Sequence, residues 1–430
     1  MKRFIQIVLL IVFCIPMAVA AQQTKVFTGA KIIPIEGEPI ENGVLVIQGD
    51  KVLDVGTEGE VDIPSNARKF DVSGKVIMPG LVDSHSHIGD GDGGDRSSAL
   101  HPDARIIDSI DPHSETFKKA LAGGVTTVNV MPGSGHLMSG QTAYLKLRNA
   151  DKIEEMLVVD PEEGIAGGLK MANGTNSIGS APFPGTRAKS ASMVRELFNK
   201  AQDYKGQVEE ADGDPDKMPK RDVGMEALVE VLNGERIVHF HTHRHYDILT
   251  AIRLSEEFDF RLVLHHVSEA WKVADEIAKS DAMASIIVLD SPGGKPEASD
   301  IKYENGAILE EAGVTVGYHT DASITDTRLF LRSGAFGVRA GMSRNAALKA
   351  LTIENAKMMD LQDRVGTLEP GKDADFVVLT GDPLSVYTRV QQTWVEGIKQ
   401  FDYANPRDRK YSTGGFKVFD GAAHNHHFGD

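Results

Sequence analysis

Over residues 26–72 apolar and polar positions alternate in short runs, at 26–28, 30–33, 43–47 and 51–56, each closed by turn residues. A period of two marks half-buried strands, and Gly49-Asp50 between the last two runs has hairpin chemistry. A small β module is predicted. Beyond residue 110 the pattern lengthens: Asp111-Pro112 supplies a helix cap and a first-turn proline, Gly123-Gly124 stops the helix, and 125–130 reads as a buried strand. The rhythm recurs as helix 193–204, a polar insertion at 207–221, helix 225–232, strand 236–241, helix 247–258 and strand 261–266. Helix 269–278, strand 284–289, helix 304–312 and strand 314–318 follow, and the third strand of the series falls at 142–147 or at 156–159. Repeated strand and helix units build a parallel sheet, and their number fits a closed (β/α)8 barrel better than an open sheet. After a helix at 346–359, β character returns at 365–379 and 393–397.

The ends differ from this body. Lys2 and Arg3, an apolar stretch at 4–17 and Ala18-Val19-Ala20 have the parts of a secretory signal peptide, and the apolar part is short for a membrane span. Cleavage after Ala20 is expected, with a secreted or periplasmic product, and an uncleaved anchor is the runner-up. Cleavage would remove Cys14, the one cysteine, leaving neither a disulfide nor a thiolate ligand. Losing Lys2 and Arg3 takes the formal charge from -16 to -18. So acidic a chain suits a small-molecule substrate and not nucleic acid, whose binding needs cations against phosphates. No lasting membrane attachment is expected once the leader is gone, and a homo-oligomer is left open. The segment 403–430 is a polar tail in which His424, His426 and His427 read as solvated.

Candidate chemistry begins at His85 and His87, which close an apolar run from Ile77. Residues i and i+2 of a strand point the same way, so both imidazoles could face one ion; the plainer reading is two polar residues where a strand meets water. Barrel enzymes carry their chemistry at the C-terminal ends of strands, and other ligand-capable residues occur at such ends. Lys170 lies in Gly167-Gly168-Leu169-Lys170-Met171, where a lysine ordinarily buries its stem and wets its amine. His239, His241, His243 and His245 share one face of a single run. His265-His266 ends another strand, and since neighbours on a strand face opposite ways, only one of the two is expected to look inward. Asp321 ends strand 314–318, where a helix cap is the plainer reading.

The run Pro79-Gly80-Leu81-Val82-Asp83-Ser84-His85-Ser86-His87 resembles the PGxxDxHxH signature of the amidohydrolase superfamily, in its imidazolonepropionase-like and prolidase-like branch. The resemblance extends from about residue 25 to residue 402. It implies a TIM barrel over 79–362 and a small discontinuous β-sandwich built from 21–78 and 363–402. It also implies a metal-dependent hydrolase acting on a carbon-nitrogen bond, amide or peptide, by attack of metal-bound hydroxide. By the same resemblance His85, His87 and Asp321 hold one divalent ion, His241 and His266 a second, and Lys170 bridges them as a carbamate derived from carbon dioxide. Two zinc ions suit nitrogen and oxygen donors, and Asp321 is the proton shuttle. His243, Arg244 and His319 are placed as substrate contacts; the Arg244 fork could take the carboxylate of a dipeptide or N-acyl amino acid. Two alternatives stand beside this reading. One is a mononuclear deaminase or cyclic-amide hydrolase with unmodified Lys170, and the other is a non-catalytic barrel serving as an interaction scaffold.

Overall fold

The computed structural model describes residues 23–158, 164–287, 295–322 and 324–415. The leader, the tail histidines and the end of strand 284–289 lie outside them. The chain opens with β1 (Thr24–Ile32), β2 (Ile40–Gln48), β3 (Lys51–Thr57), β4 (Arg68–Asp71) and β5 (Val76–Pro79), then passes into β6 (Leu81–Ser86) and β7 (Val125–Val130). It continues through β8 (Met138–Gln141), β9 (Ala143–Lys146), β10 (Leu169–Ala172), β11 (Val238–Thr242), β12 (Leu262–His266), β13 (Met283–Ile286) and β14 (Val316–Tyr318). The last strands are β15 (Phe376–Leu379), β16 (Val390–Val395) and β17 (Ile398–Asp402).

Both ends of the chain share one eight-stranded sheet, ordered β17-β16-β15-β5-β1-β2-β3 with β4 beside β1. The seam is the antiparallel pairing of β15 with β5, Phe376 opposite Pro79. Phe27, Phe70, Phe376 and Trp394 pack ring on ring within its core, with centroids 4.8–5.7 Å apart, an arrangement that aromatic quadrupoles favour.

The remaining strands build a TIM-barrel-like α/β body. One sheet runs β14-β13-β12-β11-β10-β8 and a second runs β6-β7-β9. Strands β10 to β14 are parallel, as the alternation of helix and strand requires. The expected third strand at 142–147 is β9, but it runs antiparallel to β7, and β8 just before it runs antiparallel to β10. Strands β8 and β9 thus bridge the two sheets as consecutive segments, with Gly140 at φ +127° within β8. On the other side the Asp321 amide donates to the His85 carbonyl at 2.9 Å, joining the end of β14 to β6.

Helices depart from the expected boundaries for local reasons. The first is capped by Ser114, three residues after Asp111, and spans Glu115–Ala122. The helix expected at 193–204 spans Arg187–Ala211, starting at the Thr186 cap and taking in the first residues of the supposed polar insertion. Its polar face is solvated, so composition alone made its last turn look like loop. Helix 346–359 is two short helices, Arg344–Lys349 and Ile353–Lys357. The tail begins with a helix, Pro406–Thr413, that buries Tyr411. Among the described residues no helix is long and apolar enough to cross a membrane.

Candidate active site

Strand ends deliver the site. Gly80 sits between β5 and β6, where a Cβ would fall 2.2 Å from Thr126 Oγ1, so only glycine lets β6 lie this close to β7. His85 is fully buried near the end of β6, and its Nε2 lies 3.3 Å from His87 Nε2. His87 Nδ1 is 2.7 Å from the Met131 carbonyl, a contact that keeps Nε2 turned to the cluster. Asp321 completes the group, with Oδ1 3.4 Å from His85 Nε2 and 3.1 Å from His87 Nε2. From β10 the Lys170 amine reaches 3.1 Å from His85 Nε2. His266 Nδ1 stands 3.8 Å from Asp321 Oδ2. Five of the six expected ligands therefore meet in one place.

Two of them are held by unusual backbone. His266 and Asp321 have φ of +69° and +47°, in the left-handed region that non-glycine residues seldom adopt. At His266 the turn is tight: the Val267 amide donates to the carbonyls of His265 and Thr242, both at 2.9 Å. This corrects the expectation that only one of His265 and His266 looks inward. His265 faces inward by strand parity, its ring centroid 4.8 Å from that of His85. His266 faces inward because the chain turns there.

The sixth expected ligand has other company. His241 packs against the His266 ring at 4.3 Å between centroids, yet its ligand atoms group with those of His243 and Glu297. His243, expected at the rim, is buried. His319 is interior as well, with Nδ1 2.7 Å from Ser285 Oγ and Nε2 3.2 Å from His266 Nδ1. Arg244 stands at the start of the helix His245–Phe258 and donates to Glu269 Oε1 at 2.9 Å and to the Pro296 carbonyl at 2.8 Å. A substrate carboxylate at Arg244 would compete with Glu269. Below this layer Tyr144 Oη, His239 and His265 form a chain of contacts of 2.9 Å each, so His239 is hydrogen-bonded core.

Sequence reading gave Asp83 no role beyond its place in the signature and missed Lys295 and Glu297. Asp83, inside the β6 run, accepts from the Thr320 amide at 3.1 Å and from its hydroxyl at 2.5 Å. Lys295 caps and Glu297 lies in a single 3-10 turn, Pro296–Ala298, too short for a period to mark a residue as inward; their place in the chain after a barrel strand was the available signal.

Burial sets the protonation. It pushes the Lys170 amine down to about 7, with Lys295 adding and Asp321 opposing. Burial also holds His85, His241, His265 and His266 well below the ordinary histidine value, which keeps them in the neutral form that ligates metal. It raises the Asp83 carboxyl to about 7 against the hydrogen bonds from Thr320. His85 Nδ1, His241 Nδ1 and His266 Nε2 are buried with no hydrogen-bond partner. Neutral imidazoles with a carboxylate beside them suit a divalent ion such as zinc.

Ligand-capable side chains gathered at the C-terminal ends of strands, in a buried cluster of imidazoles and carboxylates, define a hydrolase site of the metal-binding class on a TIM-barrel-like body. Residues 272–398 match the family model described as amidohydrolase family. The chain is similar to the solved structure of an amidohydrolase from Thermotoga maritima MSB8, at 33% identity and a TM-score of 0.82, over 88% of this chain and 99% of that one. It is 28% identical over 394 residues to the amidohydrolase tasK of Hapsidospora irregularis, covering 82% of this chain but 40% of that protein's length. Ochratoxinase of Aspergillus niger is 27% identical over 415 residues, 85% of this chain and 82% of that one. The chain belongs to the amidohydrolase family, and it is a hydrolase acting on carbon-nitrogen bonds.

Proposed function

We propose that this chain is a metal-dependent amidohydrolase that cleaves an amide or peptide bond in a small carboxylated substrate, a dipeptide or an N-acyl amino acid, after export by its N-terminal leader. In this reading 79–362 form a closed (β/α)8 barrel, 21–78 and 363–402 form a β-sandwich beside it, and 403–430 follow as a tail. The observation that carries it is the convergence of His85, His87, Lys170, His266 and Asp321, from four strands, through contacts of 3.1–3.8 Å.

His85, His87 and Asp321 would hold one zinc ion and His241 and His266 a second, with the Lys170 carbamate serving both. When bound, such ions polarise a carbonyl and lower the pKa of water. Lys170 is suited to become the carbamate because an amine titrating near 7 is substantially neutral. The neutral amine's nitrogen bonds to the carbon of carbon dioxide and one N–H proton leaves, so a neutral amine becomes an anionic ligand. Asp321 accepts a proton from the attacking water and returns it to the departing nitrogen; the carbon-nitrogen bond is exchanged for a carbon-oxygen bond and the amine leaves neutral.

The test is Asp321→Asn assayed with a panel of dipeptides, N-acyl amino acids and cyclic amides. A protein that folds as the wild type and loses about 10²–10⁴-fold in kcat is expected. Turnover by this variant equal to that of the wild type would remove the proton-shuttle role.

A further inference from the structure

Beside the His85 and Asp321 cluster lies a second set of buried donors. His241, His243 and Glu297 bring ligand atoms within 4.8 Å of one another. Each of the outer two is aimed by a neighbour. His243 Nδ1 is 2.8 Å from Ser268 Oγ, which turns Nε2 to the cluster. Glu297 Oε2 accepts from the Thr175 amide at 2.8 Å, while Oε1 is buried and has no hydrogen-bond partner. Contacts of this kind behind a donor are what orient metal ligands.

A cation already stands among these donors. The Lys295 amine is 3.4 Å from His241 Nε2, 3.2 Å from His243 Nε2 and 3.6 Å from Glu297 Oε1. Two imidazole nitrogens and a carboxylate around one ammonium make a cation pocket, and the same nitrogen and oxygen donors are those a zinc-class ion takes. A dication and an ammonium cannot share the pocket, because like charges a few ångströms apart in a buried place repel strongly.

We propose that His241, His243 and Glu297 form a divalent-cation position of their own, and that Lys295 competes with the ion for it. The proposal rests on the metal-dependent reading of the His85 and Asp321 cluster in one respect, that the two positions share His241. One lone pair serves one ion, so an ion here and an ion pairing His241 with His266 exclude each other. The weaker-bound ion thus has two stations, and Lys295 sets how readily it enters the outer one.

The test reads binding alone. Chelator-stripped full-length chain is titrated with Co²⁺, followed by visible absorbance and metal analysis, for the wild type and for Lys295→Met. Removing the ammonium is expected to tighten the weaker step about tenfold or more, and to leave the tighter step unchanged. Glu297→Gln or His243→Asn, added to Lys295→Met, is expected to undo the gain. Lys295→Gln, close to lysine in length and uncharged, should repeat the result if the methionine variant folds poorly. Affinities in every variant within about twofold of the wild type would overturn the proposal. A chain that binds the ion as described and hydrolyses nothing would fail the proposed reaction and still carry this site.

Discussion

Lys170 shows most plainly how burial sets chemistry at the scale of one residue. Its amine is fully buried, contacts His85 Nε2 at 3.1 Å and Met131 Sδ at 3.0 Å, and titrates near 7 instead of in the ordinary lysine range. Folding gains little from keeping such a group, since a buried amine without a carboxylate in hydrogen-bond contact costs desolvation. Lys170→Met, similar in length and apolar, is therefore expected to melt at or above the wild-type temperature while losing at least about 10²-fold in hydrolysis, the trade expected at a functional site. Thermal melts and a rate assay on the same preparation check both halves. A variant that melts lower and hydrolyses normally would make Lys170 a structural residue. Of the site residues, His85 and His87 were legible because a short motif on a buried strand fixes two side chains at once. Lys295 and Glu297 were not, because they belong to a single 3-10 turn, too short for either a period of two or one of 3.6 to show. His265 was misjudged because strand parity holds only until the chain leaves the strand, and the positive φ at His266 leaves no trace in a pattern of apolar and polar letters.

At the scale of elements, the strands hold the site because they approach one another closely. Gly80 is the clearest case: its Cβ, if present, would lie 2.2 Å from Thr126 Oγ1 and 2.7 Å from Thr126 Cβ. Gly80→Ala is expected to push β6 from β7 and to cost about 1–3 kcal/mol, the usual range for overpacking. Urea denaturation should show a lower midpoint with an unchanged slope, and hydrolysis should fall as His85 and His87 shift. Stability equal to the wild type would mean that Thr126 gives way without moving the strand. Most strands from β10 to β14 could be placed from the sequence because their apolar runs are short and flanked by helices of clear period. The direction of β8 and β9 could not, since a strand looks the same to its own residues whichever way its neighbour runs. The last turn of the helix Arg187–Ala211 was lost for a related reason: a helix end in water has a loop's composition.

Across the whole molecule, one buried charge cluster ties together segments remote in sequence. Lys146 on β9 is 2.8 Å from Asp373 and 2.5 Å from Asp375, and Asp373 also pairs with Lys51 at 2.5 Å and Arg364 at 2.9 Å. Burial alone would raise the Asp373 carboxyl, but Lys146, Lys51 and Arg364 outweigh it and hold it at about 2. An unfolded aspartate titrates near ~3.9, so this group contributes stability that is fully present above about pH 4 and is lost as pH falls through about 2. Asp373→Asn should lose about 3 kcal/mol at neutral pH, the low end for breaking a buried ion pair because Asp375 remains. Its stability should also fall less steeply than that of the wild type between about pH 4 and pH 2. Denaturant midpoints measured across that window decide it; parallel acid limbs would mean that Asp373 is not the group that links the barrel to the shared sheet.

The central claim is that the cluster of His85, His87, Lys170, His266 and Asp321 hydrolyses carbon-nitrogen bonds only with a divalent ion bound. The most direct measurement is amine release from an N-acyl amino acid or dipeptide by chelator-stripped chain as zinc is restored in substoichiometric steps. The account predicts negligible release from the stripped chain and activity that rises in proportion to bound zinc until the site is filled. Release by the stripped chain at the rate of the reloaded one would contradict it.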